Sequence, residues 1–364
     1  MSPTPKLFTP LSIGPVTAPN RIAVAPMCQY TADDGSMTDW HLQHHMNLAM
    51  SGAGLVMIEA TGVERRGRIT HGCVGLYSDA NERAMARVLA AARAVQLPGT
   101  LIGIQLQHAG RKASAQRPWE GGAALKAEQD PWQTVSASAK AFGPNWHTPE
   151  ALDDAGIART IEGFVQAAKR AVRLGLDVIE LHMTHGYLVH QFFSPLSNMR
   201  VDHYGGSLEN RMRLLCEVAS AVRVEVPQDR ALFVRLSATD WVEGGWDLAQ
   251  TIAFANALKA RIGTFIGAYN DLVKFASDQA ASAATGDATS IGRDPVLRQL
   301  RSMLRGTLAT RYASTGAFDN VSQIGIEFTK SGTLQFNAAT FGDAIANHPD
   351  DIGTLLGAGT APGA

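Results

Sequence analysis

The chain has 364 residues, of which 45% are hydrophobic, and its formal net charge is −1. This balanced charge gives no electrostatic basis for binding nucleic acid or an anionic membrane, and no apolar run reaches the roughly 18 residues of a membrane span. The sequence shows no secretory signal, and its three cysteines are too few and too scattered for a disulfide framework. A globular cytoplasmic protein with no nucleic-acid or membrane partner is therefore expected, and nothing in the composition indicates an oligomeric state.

Short apolar segments alternate with helical segments through residue 260 or so. Buried strands are predicted over 21–25, 54–59, 100–106, 178–181 and 231–236. Helices are predicted over 39–50, 79–95, 153–174 and 207–226, with another starting near 248. Because polar residues follow every strand, the pattern predicts an α/β fold of the (β/α)8 TIM-barrel type. Only about five strand-helix units are present where a closed barrel needs eight, so the barrel is expected to be truncated.

A long connection over residues 111–150 contains Trp119, Trp132 and Trp146 together with several glycines and prolines. A loop of this length inside a compact domain indicates a functional role, such as covering an active site.

The alternation of strands and helices stops near residue 260. The helix from 248 is predicted to continue to about 275, and further helices are predicted over 294–308 and 341–356. Segments 324–328 and 333–336 flank Lys330, Ser331 and Gly332, which predicts an antiparallel hairpin. We therefore expect two domains, an incomplete barrel over 1–262 and an unrelated, mainly helical segment with a β-hairpin over 263–364.

The stretch 177–187, DVIELHMTHGY, is the centre of the functional prediction. It begins as a buried strand and ends with His182, His185 and Tyr187 in a loop that contains Gly186. Polar side chains at the carboxyl end of a parallel barrel strand indicate a substrate pocket. Two other interpretations remain open: the two histidines could be half of a zinc site, and the tyrosine could be a packed aromatic residue.

Seven motifs, in order, resemble the old yellow enzyme family of FMN-dependent ene-reductases, most closely its bacterial branch with a cysteine in the first motif. The motifs are APMCQY (25–30), EATGV (59–63), GIQLQHAGRKAS (103–114), ELHMTHGYL (180–188), QFFSPLSN (191–198), YGGSLENR (204–211) and VRLSATD (234–240). The resemblance covers residues 6 to about 260, and Thr184 and Met199 depart from the family's usual residues.

The resemblance implies a noncovalent FMN that NADPH or NADH reduces and that passes hydride to an activated alkene, an α,β-unsaturated carbonyl or nitro compound. The residues expected to contact FMN are Ala25, Pro26, Met27, Cys28, Ala60, Gln105, His182 and Arg235. Cys28 would tune the redox potential of the flavin, and Arg235 would stabilise the negative charge of the reduced flavin.

The resemblance also assigns the substrate site. His182 and His185 would bind the substrate oxygen, and Tyr187 would deliver the proton. Tyr30 and one of the loop tryptophans would form the wall of the pocket. A hydrolase using Cys28 with His182 is a weaker alternative, because no oxyanion-hole motif is visible. His41, His44 and His45 lie on the first predicted helix, where exposed histidines without a carboxylate or cysteine partner usually bind nothing, so no metal site is expected.

The end of the chain resembles a different family. Segments 290–308 and 322–357 are similar to the C-terminal region of the flagellar filament cap protein (hook-associated protein 2), an extracellular structural component. The family of the first part holds the FMN phosphate after its seventh and eighth strands, which have no counterpart in this sequence. The chain is therefore expected to be a chimera whose enzymatic activity is impaired, or alternatively a cap-type structural or adhesion fragment with an inactive barrel remnant.

Overall fold

The five apolar segments predicted as strands pair into one parallel sheet. The computed structural model describes residues 5–227, 229–254, 317–329 and 333–337, together with isolated positions between 274 and 344. The chain divides into two compact units. The first consists of Met1–Leu11 and Val16–Thr251, and the second of Ser12–Pro15 and Ile252–Ala364. All the motifs of the predicted flavin site lie in the first unit.

The parallel sheet of the first unit has the order β3-β4-β5-β8-β9, which is also the order of these strands in the sequence. The strands of this part of the chain are β1 (Leu11–Ile13), β2 (Val16–Ala18), β3 (Ala23–Val24), β4 (Leu55–Gly62), β5 (Leu101–Gln107), β6 (Val135–Ser136), β7 (Glu150–Ala151), β8 (Val178–Met183) and β9 (Ala231–Leu236). Sequential parallel neighbours with helices between them are the arrangement of a barrel wall.

Helices follow the strands as the sequence predicts. They are α1 (Asp39–Ala49), α2 (Asp79–Val95), α3 (Asp154–Arg173), α4 (Leu188–Phe193) and α5 (Leu208–Glu225), and residues 248–254 are also helical. Helix α3 begins after its cap Asp153, whose Oδ1 accepts the Gly156 amide at 2.7 Å. Helix α4 was not predicted, because all six of its residues are buried and it has no polar face for a periodic pattern.

Burial along the sheet shows where the barrel wall ends. All eight residues of β4 are buried, whereas in β9 only Ala231 is buried and Val234 is 36% exposed. Within the described residues β9 has one sheet neighbour, β8. This exposure is what a parallel sheet of five strands that does not close on itself would show, so the described part of the first unit is a half-barrel.

The second unit contains the predicted hairpin. Strands β10 (Ile326–Phe328) and β11 (Leu334–Phe336) pair antiparallel, with Glu327 opposite Gln335. The described residues after 254 add no strand to the parallel sheet. The helices predicted over 262–275, 294–308 and 341–356, and the boundary predicted at residue 262, lie almost entirely outside the described residues and stay predictions. No helix of the described chain is long and apolar enough to span a bilayer.

Candidate active site

The strand register brings the predicted flavin-contacting side chains to one face and one end of the sheet. Ala60 lies opposite Gln105 in the β4–β5 pair, and His182 lies opposite Arg235 in the β8–β9 pair. Residues opposite each other in a parallel sheet point to the same side. Gln105 also donates its side-chain amide to Glu180, its partner in the β5–β8 register. Ala60, Gln105 and Glu180 therefore form one row across β4, β5 and β8, and the His182–Arg235 pair lies two residues nearer the carboxyl ends of β8 and β9.

His182, His185 and Tyr187 form one aromatic cluster. The His182 ring lies edge-on to His185, with centroids 5.0 Å apart, and edge-on to Tyr187, with centroids 5.1 Å apart. His185 and Gly186 have φ values of 59° and 72°. This left-handed turn reverses the chain, so that the rings of His185 and Tyr187 both contact His182. The structure therefore brings together the three residues predicted to bind and protonate the substrate.

Both imidazoles are neutral at physiological pH. Burial, followed by the nearby His185 and Arg235, lowers the pKa of His182 to about 3. Burial likewise lowers the pKa of His185, with smaller contributions from Arg235 and Lys112. Each ring therefore carries one N–H, and the buried Nδ1 of His182 has no hydrogen-bond partner among the described residues. A ligand oxygen in the pocket would satisfy this atom.

The phenol of Tyr187 is protonated in the resting protein. Burial is the main cause that raises the pKa of its phenol, and the neighbouring Cys28 and Tyr30 raise it further. The hydroxyl therefore stays protonated under all physiological conditions and can give a proton only to a strong base, such as a carbanion that forms during alkene reduction.

Lys112 is a neighbour of this cluster that the sequence analysis did not single out. Its Nζ donates to the His185 carbonyl at 3.0 Å and lies 5.1 Å from the centroid of the Tyr187 ring. Burial lowers the pKa of Lys112, and Arg111 lowers it further. The ammonium thus holds the backbone of the histidine loop, and the only signal in the sequence was its place in the GRKAS motif.

Cys28 lies at the opposite side of the site, with its Sγ 3.9 Å from the Ala60 carbonyl. A hydrogen bond with the Cys73 thiol is the largest cause that raises the pKa of Cys28, and burial adds to it. Cys28 is therefore a thiol rather than a thiolate. In the described part of the chain no imidazole hydrogen-bonds this thiol, so the Cys28–His182 pair of the alternative hydrolase is not formed.

Glu59 anchors the segment that carries Cys28. Its buried carboxylate accepts the Gln29 amide at 3.1 Å and lies 3.3 Å from Nε2 of His41. The Thr38 amide donates to Nδ1 of His41 at 3.0 Å, so Nδ1 is an acceptor and Nε2 carries the N–H on the side of Glu59. Burial raises the pKa of Glu59.

The expectation that the helix histidines are exposed and lack a carboxylate partner was wrong for two of them. His41 and His45 are buried because helix α1 packs this face against the rest of the unit, and His41 contacts Glu59. Burial lowers the pKa of His45 to about 3. Among the described residues no group of three histidine, cysteine, aspartate or glutamate side chains could hold a metal ion.

Tyr30 and Trp119, the tyrosine and one of the loop tryptophans that the resemblance assigns to the pocket, contact each other. Tyr30 has a φ of 57°, and its ring lies edge-on to Trp119 with centroids 5.7 Å apart. Arg117 donates from Nε to the Tyr30 carbonyl at 2.9 Å. A Cβ added at Gly72 would lie 2.1 Å from the same carbonyl oxygen, so only glycine allows this approach. Part of the long loop thus reaches back to the loop after β3.

The residues at this end of the sheet fit the isoalloxazine ring of FMN. Ala25 and Met27 are exposed, with Met27 at 69%, and their backbone is open to a planar ligand. Ala60 lies opposite Gln105, whose side-chain oxygen can accept a hydrogen bond while its nitrogen donates to Glu180. Arg235 is half-buried and supplies a fixed positive charge.

The family model and the relatives that match this chain all indicate the same family of flavin oxidoreductases. The model of the NADH:flavin oxidoreductase / NADH oxidase family matches residues 6–310, a range that extends past the boundary predicted at 262. An NADH:flavin oxidoreductase of Gibberella zeae is 44% identical over 268 residues, which cover 70% of this chain and 64% of that protein. An NADPH dehydrogenase of Bacillus subtilis is 41% identical over 256 residues, 70% of each chain.

Solved structures give the same result. A morphinone reductase in complex with tetrahydroNAD is 31% identical, with a TM-score of 0.60, and the similarity covers 71% of this chain and 72% of that one. An old yellow enzyme homologue from Zymomonas mobilis is 28% identical, with a TM-score of 0.57, and the similarity covers 74% of this chain and 71% of that one. These neighbours imply a TIM-barrel fold, of which the described residues form five parallel strands.

Proposed function

Because the chain belongs to the NADH:flavin oxidoreductase / NADH oxidase family, we propose that it uses FMN and NADPH or NADH to reduce activated alkenes. The substrates proposed are α,β-unsaturated carbonyl and nitro compounds. The observation that carries this choice is the cluster of two neutral imidazoles and one protonated phenol at the carboxyl end of β8. Since the chain spans 64% of one curated relative and 70% of another, the activity of the whole relatives is a proposal for this chain.

FMN would be held by the backbone of Ala25–Met27, by Cys28 and Ala60, and by the side chains of Gln105 and Arg235. When bound, FMN supplies a two-electron carrier that accepts and donates hydride. Arg235 places a positive charge on the inner face of β9, opposite His182 in the register, and this charge favours a negatively charged ring. Cys28 stays a neutral thiol beside the ring.

His182 and His185 would bind the carbonyl or nitro oxygen of the substrate. Both donate a hydrogen bond while neutral, and these bonds strengthen as negative charge develops on the oxygen. Tyr187 would then protonate the carbon next to the activating group, from the side opposite the hydride. Lys112 fixes the carbonyl of His185 and thereby the orientation of this ring.

A turnover experiment tests this function. Protein saturated with FMN should consume NADPH or NADH anaerobically when 2-cyclohexen-1-one is added, and cyclohexanone should accumulate in equal amounts. The same assay with 2-cyclohexen-1-ol, which lacks the oxygen acceptor conjugated to the double bond, is the control and should give no turnover. Equal rates with both compounds would contradict the assignment of the histidines.

We also propose that the FMN phosphate is weakly held. The family resemblance assigns this phosphate to loops after the seventh and eighth strands, whereas the described residues contribute five strands to the parallel sheet. A missing set of charge-assisted hydrogen bonds, each contributing about 1.5–3 kcal/mol, would remove the advantage of FMN over riboflavin. Equilibrium dialysis should therefore give similar Kd values for the two flavins. A Kd for FMN that is a hundred or more times lower would contradict this proposal.

For residues 263–364 we propose a separate, structural origin related to the flagellar filament cap. The segment 322–357 and the antiparallel hairpin support it, whereas the segment 290–308 lies inside the range 6–310 that matches the flavin oxidoreductase family. If this part retains cap-type binding, the full chain should co-sediment with flagellin filaments. A chain that stays in the supernatant at all filament concentrations would contradict cap-type binding.

A further inference from the structure

A polar cavity of about 270 Å³ lies at the carboxyl end of the sheet, and the mechanism above does not use it. Three loops line it: the loop after β3, the loop after β4 and the long loop after β5. We call it the arginine cavity. Its charged or titratable side chains are Arg65, Arg68, Arg117, His71, Asp33 and Asp34.

Arg68 is the most unusual residue of the arginine cavity, because its side chain is only 3% exposed. Its Nε donates to the Arg65 carbonyl at 3.0 Å, and its guanidinium lies 5.5 Å from the centroid of the Trp132 ring. These contacts fix the orientation of the planar fork. Its carboxylate partner in the described chain is Asp34, at 2.9 Å, and this partner is 55% exposed. Nη1 of Arg68 also donates to the His71 carbonyl at 3.5 Å, so two backbone carbonyls hold the buried fork while its carboxylate partner is exposed.

Asp34 is also shared. Arg65 contacts the same carboxylate oxygen at 2.8 Å, so one carboxylate serves two guanidinium groups. The Arg65 side chain is 68% exposed, and ion pairs at such positions contribute little free energy. A dianionic ligand could therefore replace Asp34 as the partner of Arg65 at small cost. Asp33 is the second carboxylate on the cavity wall, so three guanidinium groups face two carboxylates there.

Arg117 connects the arginine cavity to the substrate pocket. It donates to the carbonyl of Tyr30, whose ring forms the proposed pocket wall. On its other side Arg117 contacts Glu120 at 3.1 Å, and Glu120 lines a neighbouring cavity instead. A molecule whose reactive ring lies at the flavin could thus extend past Tyr30 and place another part in the arginine cavity.

We propose that the arginine cavity binds a phosphate group of the reducing nicotinamide dinucleotide. Guanidinium forks match the geometry of phosphate oxygens, and a volume of about 270 Å³ admits a phosphate together with part of a ribose. The inference rests on the proposed function, since it takes the dinucleotide as the reductant. The phosphate is either the 2′-phosphate of NADPH or the pyrophosphate that NADPH and NADH share, and the experiment below separates these sources.

Calorimetric titration of the full chain tests the inference without flavin and without turnover. The probes are 2′,5′-ADP, which carries the 2′-phosphate, 5′-ADP, which carries the pyrophosphate, and adenosine. We expect one phosphate probe to bind at least about tenfold more tightly than adenosine, and its identity names the phosphate. Arg65→Ala should weaken that binding about tenfold, and Arg68→Lys, which keeps the charge but loses the fork, should weaken it as well.

Arg66→Ala is the matched control. Arg66 is the next residue along the chain, but it pairs with Glu64 at 2.7 Å and does not line the arginine cavity. Its substitution should leave the affinities unchanged. Because Arg65 is exposed, its variant keeps the test valid if Arg68→Lys does not fold. The inference is overturned if neither phosphate probe binds more tightly than adenosine, or if Arg65→Ala and Arg66→Ala bind the probes equally well.

The result is also distinguishable from a failure of the proposed function. A chain that binds a phosphate probe through Arg65 but cannot reduce FMN contradicts the function and leaves the cavity assignment in place. A chain that turns over with an unchanged KM for both dinucleotides in Arg65→Ala contradicts the cavity assignment and leaves the function in place.

Discussion

Replacing His182 and His185 by alanine, singly and together, should weaken the binding of phenolate ligands by amounts that can be calculated from the lost hydrogen bonds. Each neutral N–H that donates to a phenolate oxygen is a charge-assisted hydrogen bond of about 1.5–3 kcal/mol. His182→Ala and His185→Ala should therefore each raise Kd by about 10- to 150-fold. Since the two rings lie 5.0 Å apart and would share one ligand atom, the double variant should lose less than the sum of the two single losses.

The assay is a titration of FMN-saturated protein with a para-substituted phenol, followed by the long-wavelength charge-transfer band. His44→Ala is the control, because His44 lies on helix α1 outside the cluster. The titration should be repeated between pH 8 and pH 6. With its pKa lowered to about 3, His182 carries no positive charge in this range, and the pKa of His185 is lowered in the same direction, so acidification should not strengthen phenolate binding through His182.

Two results would refute this reasoning. A double variant within twofold of the unmodified chain would remove these histidines from the site. Phenolate affinity that rises as the pH falls through about 6.5, and that no longer rises in His182→Ala, would show that the buried ring is protonated near its ordinary pKa.

Three further predictions concern Tyr187, two buried histidines and Gly72. Tyr187→Phe should slow reoxidation of reduced flavin by an enone at least about a hundredfold while flavin reduction by NADPH or NADH stays within about twofold, since only the former step needs the phenol. Burial lowers the pKa of His45 to about 3 and that of His108 to about 4. Because the unfolded chain therefore takes up these protons at higher pH than the folded chain, acidification from pH 7.5 to 5 should lower the free energy of unfolding by about 2 kcal/mol for each histidine. Urea unfolding at the two pH values measures this loss. Gly72→Ala should destabilise the fold by about 1–3 kcal/mol in urea unfolding, because the added methyl overlaps the Tyr30 carbonyl.

Each of these predictions has a clear contrary outcome. Equal slowing of both half-reactions in Tyr187→Phe would make the tyrosine structural. A free energy of unfolding that does not fall between pH 7.5 and 5, or that falls as much in His45→Gln as in the unmodified chain, would contradict neutral burial of the ring. Gly52 has a φ of 84° and no atom within 4 Å of an added Cβ, so Gly52→Ala separates backbone strain from the overlap expected at Gly72.

The parallel sheet could be predicted because each of its strands is a short apolar run that the sequence delimits. Strand β9 has the predicted bounds, whereas β4 begins one residue later than predicted and ends three residues later, at Gly62. The hairpin of β10 and β11 was equally predictable, since a short connection containing Gly332 allows only an antiparallel return. These are local signals, and they were sufficient for the parallel sheet and the hairpin but not for the short strands β1, β2, β6 and β7.

The contacts that complete the site were not predictable in this way. Glu59 and His41 meet only because α1 packs over β4, and neither residue's neighbours in the sequence indicate the other. Cys73 and Lys112 reach Cys28 and His185 across the folded chain. Sequence patterns report which face of an element is apolar, and they carry no record of which polar groups meet when elements pack.

The measurement that tests the account most directly is a single-turnover experiment. Protein-bound FMN is reduced anaerobically and mixed with 2-cyclohexen-1-one, and the return of the visible flavin band is followed with time. The account predicts full reoxidation by the enone, slowed strongly in Tyr187→Phe, and no reoxidation by the saturated ketone cyclohexanone. Reduced flavin that persists in the presence of the enone would contradict the claim that this half-barrel carries a working ene-reductase site.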